Sequence, residues 1–489
     1  MTEETKNDIR NCLGRQTEWL LIHAGGKTFA LQSAEIEINF ERDKILFGFP
    51  GDLGFQTWRV VDCKIEGGEL TLDLSRNFGK ERERIKLVPR ISVRELSNAV
   101  ELARLEKANK LGMVIEENVP DAKLVRVELS GENGRLAQII FEQSRHGQIA
   151  VLADVSGTLT TEILLSTAIL RLVRLQGRKQ KPIRTLWIAG EKKQAKNLQK
   201  LRALLRPNWQ EKIKIFQLSP AADAARENLE ELPAVPLAQL WRAKPKAVNP
   251  PESRQMSETA RRIVELAPDE IDLLFNKNGE TLRFFGLPFA RVRKIFEREK
   301  AWFGVEKTRQ ILPADNWKDL LELIENLKTY RRFASPNQRH AFYSLAPEAW
   351  LEASFRRNIK LLDANLMLSP LYQQFSAERG RIDLLALRRD GRLVIIELKV
   401  APDREVIFQA ANYWRKIERQ RRKGNLQKAK LFGETAISDK PALVYLVAPT
   451  LSFHQDYKFL AGTIAPEIEI YRFDLNENWR EKIRVSRRL

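Results

Sequence analysis

Short apolar runs alternate with polar turns through much of the first ninety residues of the chain. Ile36–Phe40 and Leu70–Leu74 are apolar at every second position, and Trp19–His23, Phe29–Leu31 and Trp58–Val61 are further strand-like segments, with turn-forming stretches such as Ala24-Gly25-Gly26-Lys27 between them. The pattern predicts a β-rich domain over residues 1–92. Beyond it the period lengthens. Val93–Leu111 is spaced as a helix, followed by expected strands at 124–129, 136–141 and 149–154, a helix at 160–175, a strand at 184–188, a helix running to Leu205 and a strand at 213–216. Prolines at 233, 236, 250 and 251 mark a linker over 221–256. Residues 257–335 read as a small α/β connector with a hairpin turning at Asn278-Gly279 and an amphipathic helix over 317–330.

Residues 336–489 repeat the order of the 93–220 region. A helix around Glu352 leads to two strands, a helix around Gln409, a strand at 442–447 and a strand at 468–471. Lys181-Pro182 and Lys440-Pro441 both precede the fourth strand, and Gly134-Arg135-Leu136 mirrors Gly380-Arg381-Ile382. Aligned on these anchors, Asp383 falls on Ala137, Glu397 on Ala153 and Lys399 on Val155. The fold class expected is therefore a multi-domain α/β protein in which 93–220 is a degenerate copy of the C-terminal domain.

The second copy carries the chemistry. Its runs Ile382–Leu387 and Leu393–Val400 flank an Asp390-Gly391 turn and are rich enough in Leu, Ile and Val for both faces to be covered. Asp383, Glu397 and Lys399 interrupt those runs. Burying such charges costs on the order of several kcal/mol unless they are compensated, and a divalent cation shared by the carboxylates is a natural compensation. The hairpin sets Asp383 beside Glu397, and a one-residue gap sends Glu397 and Lys399 to one face. Asp383 and Glu397, with the carbonyl of Leu398, offer hard oxygen ligands suited to Mg²⁺ or Mn²⁺. Lys399 would lie beside a metal-bound water, to orient or deprotonate it. On the next helix Gln409 and Tyr413, four apart, share one side, although core packing is a competing role for Tyr413 and for Trp414.

This pattern resembles the PD-(D/E)xK nuclease superfamily, built around an Asp strand, a Glu-x-Lys strand and a following helix. Gln409-x-x-x-Tyr413 is similar to the helix motif of its RecB-like and NucS-like branches. Those branches tend to carry a Glu on the preceding helix, for which Glu352 is the candidate and Glu348 the other choice. Ile382 stands where the family's name has Pro. The resemblance covers about the last third of the chain and implies a restriction-endonuclease-like fold with metal-dependent deoxyribonuclease activity.

Charge extends the picture. The 83 Lys and Arg residues outnumber 64 Asp and Glu, giving a net charge of +19, and such an excess favours a polyanionic partner, DNA or RNA, over a membrane. Between Arg415 and Lys430 eight basic residues face the single acid Glu418. Arg415, Lys416, Arg419, Arg421, Arg422 and Lys423 could follow a phosphate backbone into the site, or simply form a solvated helix end favoured by the macrodipole. Two cysteines, Cys12 and Cys63, imply no disulfide framework, and no apolar run reaches membrane-spanning length. A cytoplasmic protein is expected. The competing expectation is a non-catalytic nucleic-acid-binding scaffold.

Overall fold

The computed structural model describes the chain apart from residues 1, 24–25, 42–43, 52–53, 77–78, 80, 91–92, 132–133, 180, 221–226, 246–247, 249–254, 277–278, 296–297, 306–309, 314–316 and 369–381. It divides into two compact units, residues 1–202 with 208–234, and residues 203–207 with 235–489. The proposed echo at Gly380-Arg381 and the turn at Asn278 fall outside the described residues.

The first unit opens with α1 (Glu3–Leu13), capped by the Thr2 side chain, which accepts the Thr5 N–H. Its apolar residues Ile9, Cys12 and Leu13 sit at helical spacing in a segment otherwise polar, and all three are buried. An antiparallel sheet follows, made of β1 (Glu18–His23), β2 (Thr28–Gln32), β3 (Glu37–Glu41), β4 (Lys44–Gly51), β5 (Gly54–Glu66), β6 (Glu69–Arg76) and β7 (Glu81–Pro89). Their order is β2-β1-β7-β6-β5-β4-β3. The alternation puts Trp19, Leu21, Phe47, Trp58, Leu72 and Leu87 into one core with α1.

Helix α2 (Val93–Asn118) leads into a mixed sheet of β8 (Lys123–Ser130), β9 (Leu136–Gln143), β10 (Gly147–Asp154), β11 (Leu186–Glu191), β12 (Ile213–Pro220) and β13 (Glu227–Leu232), with α3 (Thr161–Gln176), α4 (Lys192–Arg202) and α5 (Pro207–Lys212) between strands. Strand β13 lies inside the stretch read as linker. Its Glu-Asn-Leu-Glu-Glu-Leu sequence leaves an edge strand antiparallel to β12, with mostly exposed charges outward.

The second unit begins with α6 (Glu258–Glu265) and an antiparallel sheet of β14 (Ile271–Asn276), β15 (Gly279–Phe284), β16 (Leu287–Ile295), β17 (Arg298–Phe303) and β18 (Gln310–Ile311). Helices α7 (Lys318–Tyr330), α8 (Ala341–Ser344) and α9 (Pro347–Arg357) connect it to the last sheet. That sheet comprises β19 (Leu366–Leu368), β20 (Leu384–Arg388), β21 (Leu393–Leu398), β22 (Leu443–Pro449), β23 (Ile470–Leu475) and β24 (Val485–Arg488), with α10 (Val406–Arg422), α11 (Asn425–Lys428) and α12 (Tyr457–Ala461).

The two mixed sheets have one topology. Strand order is sequential in both, β8 to β13 and β19 to β24. In each the first three strands pair antiparallel, the third to fifth pair parallel, and the sixth turns back antiparallel. A helix precedes each sheet, and another fills the crossover between third and fourth strands, as parallel pairing demands. Among the described residues no helix is long and apolar enough to cross a membrane.

Candidate functional site

The β20–β21 register pairs Leu384 with Ile396 and Leu387 with Leu393, so Asp383, one step before β20, faces Glu397. The backbone ladder between the strands stops there. Instead, Oδ2 of Asp383 accepts the Leu398 N–H at 2.8 Å. Leu384–Leu387 and Leu393–Leu398 are buried throughout, so both faces of the hairpin are covered, the low-dielectric setting expected from the sequence.

Glu397 is 4% exposed, and its Oε2 has no hydrogen-bond partner among the described residues. Lys399 Nζ lies 3.5 Å from Glu397 Oε1 and 3.2 Å from Asp403 Oδ2. Burial pushes the Asp383 carboxyl up to about 7, against the pull of the Leu398 N–H and with support from the charges of Glu352 and Glu348. Burial also holds Glu397 well above the usual carboxylate range, reinforced by Asp383. For Lys399 burial acts the other way, but Glu397, Glu348 and Asp403 outweigh it and keep the ammonium above the ordinary lysine range. Asp383, Glu397 and Lys399 are thus electrostatically coupled, each acting on the charge of the others.

Helix α9 supplies further carboxylates, and the structure separates the two candidates. Glu352 is buried, with Oε1 2.7 Å from Arg356 Nε and 3.7 Å from the buried Arg283 guanidinium. Arg283 is also hydrogen-bonded to Asp272. Glu348, one turn earlier, is exposed, and its charge bears on Asp383, Glu397 and Lys399 alike. The start of α9 is fixed from below. Arg331, fully buried, donates to the carbonyls of Phe284, Phe285, Phe342, Leu345 and Ala346 and stacks on Trp350 at 4.9 Å. Gly286 (φ 77°) touches the same helix so closely that a Cβ there would lie 2.0 Å from the Ala349 carbonyl.

On α10, Gln409 is half-buried and its amide lies 3.5 Å from Glu405 Oε1, one turn back. The Tyr413 ring lies under Lys416 at 5.3 Å, and Trp414 is a core residue whose Nε1–H donates to the Ala442 carbonyl. The basic run differs from an exposed stripe. Arg415, Lys416 and Arg419 are buried, and Arg415 is bonded to Asn412. Arg421 is turned inward by Glu418 and the Asp439 carbonyl. Glu418 is fully buried and joins α10 to the Ala442 N–H as well as to Arg421 and Arg422. Arg422 and Lys423 are exposed, as are Lys428 and Lys430 beyond the helix.

Among the described residues no cluster of three or more His, Cys, Asp or Glu side chains is arranged to hold a metal ion. The available donors are the Asp383 and Glu397 carboxylates with backbone oxygen, a hard-oxygen set, and the orphaned Glu397 Oε2 suits a cation of that class. Sequence reasoning missed the opposite wall of the pocket. Asp403, Ser452, Phe453 and His454 line it with Glu397 and Lys399, and no spacing in the chain ties 454 to 397.

No protein-family model and no curated protein sequence matches the chain. A solved structure described as "Structure of EndoMS in apo form" is similar to it over 45% of this chain and 96% of its own, at 16% identity and a TM-score of 0.17.

Proposed function

We propose that the last domain is a restriction-endonuclease-like core that hydrolyses DNA phosphodiester bonds with Mg²⁺ or Mn²⁺. One observation carries the reading. Two electrostatically coupled carboxylates and an ammonium meet in a buried setting, and one carboxylate oxygen there is buried without a hydrogen-bond partner among the described residues. Such an arrangement is costly to a folded protein unless a ligand repays it. Asp383, Glu397 and the Leu398 carbonyl would hold the ion, with Glu348 better placed than Glu352 to add a carboxylate because Arg356 and Arg283 engage the latter. The ion, when bound, supplies Lewis acidity toward the phosphate and lowers the pKa of bound water.

The chain's own groups do the rest. Lys399, kept charged by Glu397, Glu348 and Asp403, orients the attacking water and offsets charge growing on the phosphoryl oxygens. Gln409 and Tyr413 present an amide and a phenol from α10 to steer substrate. DNA is preferred over RNA on the resemblance to branches that act mostly on DNA.

The test is incubation of the purified protein with circular and linear, single- and double-stranded DNA under Mg²⁺, Mn²⁺ or EDTA, beside Asp383→Ala and Lys399→Ala. Cleavage is expected to need the metal and to fall about a hundredfold or more in each variant. Cleavage that persists in both variants rejects the site.

A further inference from the structure

Beside the acidic pair the pocket carries groups that hydrolysis itself does not use. His454 shares the depression with Glu397 and Lys399. Its Nε2 lies 3.1 Å from Nε of Arg404, an exposed residue. Its Nδ1 lies 3.2 Å from the Asp456 N–H and 3.5 Å from the Asp456 carboxylate. The segment bearing His454 is fastened on both sides. Ser452 Oγ donates to the Val400 carbonyl at 3.0 Å, just past β21, and the Arg472 guanidinium stacks 3.9 Å from the Phe453 ring.

We infer that Arg404 and His454 form a phosphate-binding subsite that grips a backbone phosphate next to the one being cleaved. The inference rests on the nuclease reading and sharpens it, because it makes the substrate a polynucleotide rather than an isolated phosphodiester. The Arg404 Nε–H donates to His454 Nε2, so the imidazole positions the guanidinium while the remaining guanidinium N–H groups supply the donors of phosphate recognition. Asp403 lines the same depression as His454 and Asp456 lies beside His454, so the charge balance suits a singly charged diester better than a doubly charged terminal monoester.

Binding, not cleavage, tests this. Anisotropy of a fluorescent DNA oligonucleotide is followed against salt, without divalent metal, for the full chain, Arg404→Gln, Arg404→Lys and His454→Asn, with melting temperatures alongside. For Arg404→Gln the slope of log affinity against log salt is expected to shrink by about 0.7 to 0.9, the loss of one phosphate contact. Arg404→Lys should keep the slope, and His454→Asn should weaken binding several-fold with unchanged melting. An unaltered slope in a normally folded Arg404→Gln, or no oligonucleotide binding by the unmodified chain, overturns the subsite. A changed slope in a protein that cleaves nothing would leave the subsite standing and reject only the hydrolysis.

Discussion

The two mixed sheets share strand order and pairing sense, yet they treat one corner in opposite ways. In the first, Ala137 pairs with Ala153, Leu136 pairs with Asp154, and the Val155 N–H still reaches the Arg135 carbonyl at 3.0 Å. In the second, backbone pairing ends at Leu384 and Ile396, and the Asp383 carboxylate stands in for the next ladder acceptor. Ala137, Ala153 and Val155 are buried, as the corner positions of a well-packed sheet should be. Asp383, Glu397 and Lys399 occupy the matching places at an energetic loss. The first sheet shows that such a corner closes without charges, and the proposed chemistry rests on that difference.

The largest effect should come from making the second corner like the first. The triple change Asp383→Ala, Glu397→Ala, Lys399→Val is expected to abolish cleavage and at the same time raise metal-free stability by about 1–4 kcal/mol, because a buried charge cluster gives way to apolar packing. Urea melts check the second half. Mn²⁺ should raise the melting temperature of the unmodified protein and not of this variant. The converse change, Ala153→Glu, puts an uncompensated carboxylate into a closed corner and should cost about 3–5 kcal/mol without creating activity. An activity gain there would break the comparison.

Gly286→Ala should follow, with a loss of about 1–3 kcal/mol and weaker cleavage, since the added methyl meets the Ala349 carbonyl and displaces the helix bearing Glu348. The smallest effect concerns the turn. The Arg388 guanidinium holds Asp390 down to about 2, below its unfolded value of 3.8, so the pair's small contribution is present above pH 4 or so and is lost as pH falls toward 2. Melting temperature against pH should be flatter over that window in Asp390→Asn.

How much of this could be read from the sequence depends on how local the cause is. Asp383, Glu397 and Lys399 fall within seventeen residues of one hairpin, where a period of two and a tight turn fix which side chains meet, so their convergence was legible. Glu352 and Glu348 could not be told apart, because the deciding arginine, Arg283, sits some seventy residues upstream on another sheet. The basic run on α10 misled for a similar reason. Its one acid, Glu418, is buried and draws Arg421 inward, and nothing in the local pattern signals that. Strand β13 was hidden in a stretch whose prolines dominate, and α1 in one whose polar residues do. His454 and Arg404 meet only through the crossover between β21 and β22, fifty residues apart in sequence.

The hydrogen bond from the Leu398 amide to Asp383 divides the labour of one side chain. One oxygen is committed to the main chain and fixes the rotamer before any substrate arrives, which leaves the other with a settled direction. An asparagine could keep that latch through its own carbonyl while carrying no charge. Asp383→Asn and Asp383→Ala thus become a matched pair, the first removing only the electrostatics and the second also unfastening the strand end.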